Sequence, residues 1–199
     1  CKVKHSATSE PGIHKARGTC GGNLTPKLSI EETSSPTVQL SSINMTCQQA
    51  QIEERFFGVI DFVSAYFNAK LQREINVVID PNMAKLFVEL YPYLKNYVRP
   101  DGTLLMRVLK ALYGLPECSL LWYHLLRRIP QELGFKPTAH DPCLLHCKGT
   151  TVDMHVDDLL VTDKDPKRIE WLAYELGKRV ATGTTFVISD EVSYLGRRI

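Results

Sequence analysis

The stretch VDMHVDDLLVTD, residues 152–163, places two adjacent carboxylates in the middle of an apolar run. Residues 152–156 alternate apolar and polar side chains, a period of two that predicts a half-buried strand. A second apolar run follows at residues 159–161. Joining these two strands requires a tight hairpin with Asp157 and Asp158 at its tip. Because Asp is a common turn residue, turn chemistry alone is the simplest explanation of an isolated Asp-Asp pair.

A third carboxylate occupies a comparable position earlier in the chain. FFGVI, residues 56–60, is a short apolar run that predicts a buried strand, and Asp61 follows it directly. Three carboxylates at strand ends suit a hard divalent cation, since Mg²⁺ prefers one or two carboxylates together with substrate phosphates. The crowding of Asp157 against Asp158 is unfavourable unless a cation lies between them. In two-metal sites, whose ions lie about 3.5–4 Å apart, such carboxylates support nucleotide polymerisation.

Composition defines the class of protein but not its partner. A chain of 199 residues that is 44% hydrophobic and 23% charged is long enough for one good core or two small ones. The net charge of +2 permits a polyanionic partner without arguing for one. No apolar run reaches the roughly 18–20 residues that span a bilayer, so no membrane partner is predicted. The six cysteines are too sparse for a disulfide scaffold, and we interpret them as free thiols in a reducing compartment.

Helical and strand patterns are mixed along the chain. Residues 1–46 are rich in Ser, Thr, Pro and Gly and predict loops and short strands with little core. Helices are predicted at residues 62–71, about 81–90, 117–129 with Pro130 just beyond, and about 166–179, and a further strand at 103–109 after the turn sequence RPDG. The absence of a regular βαβ alternation favours an α+β architecture.

Seven blocks of sequence, in order over residues 14–199, carry a family resemblance. They are HKARGTCGG, EETSSPTVQLSSI, IDFVSAYFNAKL, LKALYGLPECSLLWY, GFKPTAHDPCLL, HVDDLLVT and YLGRRI. Together they resemble the reverse transcriptase of Ty1/copia-type LTR retrotransposons, a segment of a Pol polyprotein. The order and number of the blocks make this resemblance far more specific than any single motif.

The resemblance implies a fold and a division of the chain. It implies an α+β right-hand polymerase with fingers and palm, an antiparallel palm sheet packed on helices, and no thumb. The implied domain is 15–199, with fingers at about 15–50 and 72–103, palm at about 51–71 and 104–199, and a poorly structured segment at 1–14. Because the chain opens on Cys1 and closes on a strand-like sequence, we expect it to be a piece of a longer polyprotein.

The resemblance also implies roles for individual residues. Asp61, Asp157 and Asp158 correspond to the catalytic carboxylates that hold two Mg²⁺ ions, or Mn²⁺. Tyr66 falls where the family places the aromatic residue against the sugar of the incoming nucleotide, although packing on a helix face is the simpler explanation of an isolated Tyr.

Three further residues are implied to bind the nucleotide. Lys15 and Arg17 fall where the fingers hold the triphosphate, and a solvated basic pair is an equally good explanation of them. Gly114 falls in a loop that passes close to the nascent base pair. Trp122 and Tyr123 are expected to pack their helix onto the sheet.

The implied partners are an RNA or DNA template with its primer and deoxynucleoside triphosphates. Integrase and RNase H segments of the same polyprotein are expected in a full-length product, and the oligomeric state stays open. The implied location is a cytoplasmic retroelement particle or the nucleus.

Three departures from the family pattern keep an alternative open. His155 stands where the family has an aromatic residue, two positions before Asp157. Gly18 and Thr19 replace a Leu-Val strand, and Leu120 or Leu121 replaces a basic residue before the tryptophan. A catalytically inactive relic that at most binds nucleic acid is therefore the main rival hypothesis.

Two other classes of protein are weaker rivals. A receiver domain also has an acidic pair after a strand, but the chain after Asp158 is too short to complete that fold. A zinc site at Cys143, His146 and Cys147 has suitable ligand types but only three candidates in an apolar strand.

Overall fold

The fold is built mainly from antiparallel strands. A computed structural model describes residues 2–4, 15–22, 25 and 27–199, with side chains from residue 18 onward. The strands in this part of the chain are β1 (Lys2–Lys4), β2 (Lys15–Arg17), β3 (Phe56–Phe62), β4 (Lys70–Ile79), β5 (Leu104–Lys110), β6 (Lys136–Pro137), β7 (Leu144–Cys147), β8 (Thr150–His155), β9 (Asp158–Asp163), β10 (Thr184–Ser189), β11 (Ser193–Tyr194) and β12 (Arg197–Arg198).

A six-stranded sheet with the order β10-β3-β9-β8-β7-β6 forms the centre of the fold, and every neighbouring pair in it is antiparallel. Three two-stranded sheets, β1-β2, β4-β5 and β11-β12, lie outside it. The mixture of antiparallel sheets with helices confirms the α+β class.

Four helices accompany the sheets in the described part of the chain. They are α1 (Leu40–Ile52), α2 (Pro81–Leu90), α3 (Cys118–Glu132) and α4 (Pro166–Arg179), with short 3₁₀ segments at Ala65–Asn68 and Pro92–Tyr97. None of them is long and apolar enough to cross a bilayer.

Helices cover both faces of the central sheet. On one face, α4 packs so closely on β3 that a Cβ added at Gly58 would lie 2.4 Å from Cγ2 of Ile169. On the same face, the ring of Trp122 in α3 meets that of Phe62 edge-on at 5.0 Å. On the opposite face, α1 contacts β8 through a 3.2 Å hydrogen bond from Thr46 to Asp153. The main core lies between the sheet and these helices.

The helices predicted at 81–90 and 166–179 are confirmed by α2 and α4. Both begin with an Asp-Pro pair: Asp80 and Asp165 accept backbone hydrogen bonds from the first turn, and the proline that follows needs no donor there. The prediction that α3 ends before Pro130 is wrong, because α3 continues to Glu132 with Pro130 buried in its last turn.

The prediction of a helix at 62–71 is wrong. β3 extends through Phe62, and only the 3₁₀ segment Ala65–Asn68 follows before β4 begins. Ser64 has a left-handed backbone with φ 51°, which interrupts any helix there. Beyond it, the carbonyl of Ala69 accepts a 2.9 Å hydrogen bond from the N–H of Ala111, the residue that follows β5.

Two further expectations about the core are wrong. The segment 1–46 was predicted to hold little core, yet Val38 and Ile43 are buried and α1 begins at Leu40. β8 was predicted to be half-buried, but all residues from Thr150 to Met154 are buried because both faces of the sheet are covered.

The fingers and palm boundaries stay predictions, and most of the segment 1–14 lies outside the described residues.

The described cysteines, Cys20, Cys47, Cys118, Cys143 and Cys147, are all free thiols, as predicted.

Candidate functional site

The strand register brings two of the predicted carboxylates together. Asp61 in β3 and Asp158 in β9 are directly opposite each other across an antiparallel pair. On the outer sides, Thr185 of β10 is paired with Asp61 and His155 of β8 is paired with Asp158. Opposed residues in an antiparallel sheet share a face, so these four side chains form one row across four strands. We call these four residues the carboxylate row.

Asp157 lies in the two-residue turn that joins β8 to β9. His155 and Asp158 close this turn as strand partners, which leaves Val156 and Asp157 as its two central residues. Val156 has φ 56°, a left-handed conformation that is strained for a β-branched residue. The predicted hairpin is confirmed, with Asp157 in the turn and Asp158 as the first residue of β9.

Both carbonyl groups of the turn accept hydrogen bonds, one from Phe62 at the end of β3 and one from Trp122 in α3. The carbonyl of Asp157 accepts a 3.2 Å hydrogen bond from the backbone N–H of Phe62. The carbonyl of Val156 accepts a 2.7 Å hydrogen bond from Nε1–H of Trp122. The turn is therefore tied to the end of β3 directly through Phe62 and indirectly through Trp122, whose ring packs against Phe62.

Repulsion among the carboxylates is visible in the acidity of Asp158. Its pKa is raised above the ordinary value of 3.8, first by burial and then by the negative charges of Asp157 and Asp61. His155 acts in the opposite direction and lowers this pKa. A cation bound among the carboxylates would reverse the repulsion.

The donor atoms fit Mg²⁺ in their chemistry, because carboxylate oxygens are the ligands this ion prefers. Directly opposed residues in an antiparallel pair have Cβ atoms about 4.5–5.5 Å apart, a separation over which the side chains of Asp61 and Asp158 can share an ion. Among the described side chains, no group of three or more His, Cys, Asp or Glu residues is already arranged to hold a metal. Convergence of Asp157 with the other two carboxylates therefore stays a prediction.

Tyr66 lies beside residues 111–114, which we call the ALYG loop. Its hydroxyl is 2.9 Å from Oγ of Ser119, and its ring packs at a tilt against Tyr113 with centroids 4.7 Å apart. The side chain is half-buried and packs against the main core and against a second, smaller cluster that includes Ala111 and Leu115. Packing therefore accounts for its present contacts. Its predicted role at the sugar of the nucleotide stays a prediction.

Gly114 allows a close backbone approach, and the group that approaches is the chain itself. It has φ +94°, and a Cβ added there would lie 2.2 Å from the carbonyl oxygen of Cys20. The N–H of Cys20 donates to the carbonyl of Tyr113 at 2.7 Å. Packing against the segment 18–22 thus explains this glycine, and contact with a nucleotide stays a prediction.

Lys15 and Arg17 lie in β2, which pairs with β1 in the register Lys4↔Lys15 and Lys2↔Arg17. Their side chains lie outside the described residues, so their predicted contact with the triphosphate stays a prediction.

The zinc hypothesis finds no support in the described residues. Cys143 is fully buried, and burial raises the pKa of its thiol to about 11, which disfavours the thiolate a metal needs. His146 is exposed on β7, with Nδ1 3.1 Å from Thr151 Oγ1.

Sequence reasoning missed two residues near the carboxylate row. Trp122 is fully buried, which confirms the packing prediction, but its N–H contact with the turn was not expected. Asp153, two positions before His155, is also fully buried, and its Oδ2 has no hydrogen-bond partner. Burial raises the pKa of Asp153 to about 7. The sequence did contain a signal for the burial of Asp153. It lies within a largely apolar strand, and a polar residue of such a strand is buried when both faces of the sheet are covered.

Comparison with known proteins gives consistent similarities. The family described as "Reverse transcriptase (RNA-dependent DNA polymerase)" matches residues 2–196. The retrovirus-related Pol polyprotein from transposon RE1 of Arabidopsis thaliana is 27% identical over 204 residues, covering 90% of this chain and 13% of the polyprotein. The Pol polyprotein from transposon RE2 of the same plant is 27% identical over 157 residues, covering 76% of this chain and 10% of the relative.

A yeast relative gives the same result at lower identity. The transposon Ty1-ER2 Gag-Pol polyprotein of Saccharomyces cerevisiae is 23% identical over 165 residues, covering 77% of this chain and 8% of the relative. The chain thus spans about a tenth of the length of the curated relatives it matches.

Proposed function

Because this chain belongs to the family of reverse transcriptases, the RNA-dependent DNA polymerases of copia-type Pol polyproteins, we propose that it forms the fingers and palm of such an enzyme. In this proposal it extends a primer on an RNA or DNA template with deoxynucleoside triphosphates. The central sheet is the palm, and the fingers lie at about 15–50 and 72–103.

The observation that supports this proposal best is the position of Asp61 opposite Asp158, with Asp157 in the adjoining turn. A single carboxylate pair would be compatible with many structural roles. Here two carboxylates from separate strands lie opposite each other at one end of the sheet, and burial, together with the charges of Asp157 and Asp61, raises the pKa of Asp158. Such an arrangement is unfavourable without a cation, and a bound cation would relieve the repulsion. Cation binding is therefore the function that best explains why the carboxylates lie together.

The reaction joins the primer to one nucleotide. The 3′-oxygen of the primer attacks the α-phosphorus, the bond from that phosphorus to the bridging oxygen breaks, pyrophosphate leaves, and the hydroxyl proton passes to solvent. Mg²⁺, as two ions, or Mn²⁺ would supply charge neutralisation at both the attacking and the leaving oxygen. Asp61, Asp157 and Asp158 would hold these ions.

The other predicted residues orient the nucleotide in this proposal. Lys15 and Arg17 bind the triphosphate, for which a guanidinium is suited by its two parallel donors. The ring of Tyr66 lies against the sugar and clashes with a 2′-hydroxyl, the group that distinguishes ribonucleotides. Gly114 keeps the backbone of the ALYG loop close to the nascent base pair. Binding of the template depends mainly on backbone phosphates and is therefore sensitive to salt.

In its natural setting we propose that the chain acts with the integrase and RNase H segments of one polyprotein, in a cytoplasmic retroelement particle or in the nucleus.

The decisive experiment measures the incorporation of deoxythymidine monophosphate from dTTP on oligo(dT)-primed poly(rA), with and without Mg²⁺. Asp157→Asn is compared with wild type, and Asp190→Asn serves as a control because it makes the same change at an exposed position on the β10–β11 connection. We expect Mg²⁺-dependent incorporation in wild type and Asp190→Asn, and loss of at least about 100-fold in Asp157→Asn. Equal activity of Asp157→Asn and wild type would refute the proposal.

A non-catalytic relic that binds nucleic acid is the second candidate. It is favoured by His155 in place of an aromatic residue and by the lack of three converged metal-binding side chains among the described residues. In that case wild type and Asp157→Asn bind a primed template with equal, salt-sensitive affinity, and neither incorporates nucleotide.

A further inference from the structure

One indole ring contacts both strand ends that carry the predicted carboxylates. Trp122 in α3 is fully buried, and its Nε1–H donates to the carbonyl of Val156 at 2.7 Å. Its ring meets the edge of Phe62 at a centroid distance of 5.0 Å and an interplanar angle of 71°. Val156 directly precedes Asp157, and Phe62 directly follows Asp61.

We propose that Trp122 is a positioning residue that sets the Asp157 turn against the end of β3, so that the carboxylates can bind divalent cations together. This inference rests on the proposed function, because it assigns Trp122 a role in assembling that same site. Trp122 touches neither ion nor substrate in this proposal, and it acts through the backbone of Val156.

The turn needs such a partner for two physical reasons. The carbonyls of the two central turn residues point away from the strand ladder, so each must find a donor elsewhere. In addition, Val156 is held at φ 56°, and a strained conformation of a β-branched residue persists only when its surroundings fix it. The indole N–H satisfies the carbonyl of this strained residue.

Packing alone does not account for this contact. An apolar ring at residue 122 would fill the same space beside Phe62, but it could not donate a hydrogen bond. The N–H of Trp122 reaches one particular carbonyl in the turn, and the N–H of Phe62 reaches the other at 3.2 Å. The ring therefore supplies one of two hydrogen bonds that fix the separation of Asp61 from Asp157.

The chain offers a direct spectroscopic test because it contains only two tryptophans, Trp122 and Trp171. In a Trp171→Phe background, a ¹⁵N–¹H spectrum contains one indole Nε1–H resonance, that of Trp122. We expect this resonance to shift as Mg²⁺ is added and to approach saturation. In Asp157→Asn of the same background, we expect no shift at the same Mg²⁺ concentrations.

The variant Trp122→Phe removes the donor and keeps an aromatic ring. We expect the Mg²⁺ concentration for half-saturation, measured by calorimetry, to rise on the order of 10-fold, as for other residues that orient metal ligands indirectly. Ile129→Val, a buried change farther along α3, is the control for lost packing. It should lower the melting temperature without changing the Mg²⁺ affinity.

The possible results separate the two hypotheses. If wild type binds Mg²⁺ through Asp157 but Trp122→Phe binds it with unchanged affinity and the Trp122 resonance does not move, the positioning role is refuted and the proposed function stands. If Ile129→Val weakens Mg²⁺ binding as much as Trp122→Phe, the effect is general packing and the positioning role is also refuted. If wild type binds no divalent cation, both proposals fail.

Discussion

Asp61 and Asp158 are directly opposed partners across β3 and β9, two like charges at one end of a sheet. Opposed like charges destabilise an antiparallel pair, whereas opposite charges there stabilise it. The two pairs next to it in the same register are apolar, with Val59 facing Leu160 and Ile60 facing Leu159. Asp61 and Asp158 are the one pair of like charges in this strand register, and their repulsion works against folding.

A divalent cation should convert this unfavourable pair into a stabilising one. At about 100 times its dissociation constant, a ligand specific for the folded state adds about 2.7 kcal/mol to the free energy of unfolding. We expect Mg²⁺ to raise the melting temperature of wild type and of Asp190→Asn, but not of Asp61→Asn. We also expect Asp61→Asn to lower the pKa of Asp158, measured by NMR titration of the carboxyl groups. An unchanged pKa of Asp158 would mean that the two side chains do not interact.

Asp153 predicts a fall in stability with rising pH. In the folded protein its pKa is raised to about 7 by burial, whereas in the unfolded chain it is near the ordinary 3.8. The folded state thus binds the proton more tightly than the unfolded chain. The contribution of Asp153 to the free energy of unfolding is therefore fully present below about pH 4 and is lost as the pH rises to about 7. Within this window the loss is at most about 1.4 kcal/mol per pH unit.

Asp153→Asn should remove this pH dependence, because an amide does not titrate in this range. The amide oxygen can still accept the hydrogen bond from Thr46. Asp141 raises the pKa of Asp153, and the charge of Asp153 in turn raises the pKa values of Cys47 and Tyr194. Urea unfolding of wild type and Asp153→Asn at pH 5 and pH 8 measures the difference. Parallel pH profiles for the two proteins would contradict the prediction.

Local signals predicted some elements well, and tertiary contacts decided others. α2 and α4 could be predicted because an Asp-Pro start and an apolar stripe are contained in each segment. α1 could not, since its N-terminus is held by a residue far along the chain: Asp141 Oδ2 accepts from Gln39 N at 2.9 Å and from Ser42 Oγ at 2.6 Å.

The candidate site divides in the same way. The motif indicated that Asp61 and Asp158 would lie together, and strand pairing confirms this. The bond from Trp122 to Val156 could not be predicted, because it depends on how α3 crosses the sheet. The explanation of Gly114 also required the structure, since its neighbour Cys20 is far away in sequence.

Gly114→Ala should loosen the segment 18–22. The added Cβ would lie 2.2 Å from the carbonyl oxygen of Cys20, and the residue is already at φ +94°. Gly149→Ala is the matched control, since it also has φ +94° but nothing within 4 Å of the added atom. The control should lose about 1–2 kcal/mol, the cost of a left-handed alanine, and Gly114→Ala should lose more.

The reactivity of Cys20 tests the same change locally. Cys20 is half-buried, and burial raises its thiol pKa. We expect maleimide to label Cys20 faster in Gly114→Ala than in Gly149→Ala under native conditions. Equal labelling rates would indicate that the segment stays in place.

The ion pair between Arg73 and Glu117 should be worth more than an exposed pair on the same helix. Arg73 donates through Nε at 2.5 Å and Nη2 at 3.0 Å to the carboxylate of Glu117, whose side chain is only 9% exposed. Glu117→Gln should cost about 1.5–3 kcal/mol, as expected for charged hydrogen bonds. Glu132→Gln, which affects an exposed pair with Arg128, should cost less than about 0.5 kcal/mol. Equal costs in chemical denaturation would contradict the distinction.

The strain at Val156 makes the hairpin turn unusually tolerant of glycine. Val156→Gly gains about 1–2 kcal/mol by relieving the left-handed valine. This gain offsets the contacts of a half-buried side chain and the flexibility of glycine, which costs about 0.5–1 kcal/mol. We expect the free energy of unfolding to stay within about 1 kcal/mol of wild type.

Val161→Gly in β9 is the comparison, because Val161 is fully buried and has no such strain to relieve. It should lose more than about 2 kcal/mol through lost apolar burial and strand flexibility. Urea unfolding of the two variants separates them. If Val156→Gly lost as much stability as Val161→Gly, Val156 would not be strained in solution. The turn would then need no hydrogen bond from Trp122 to hold its conformation.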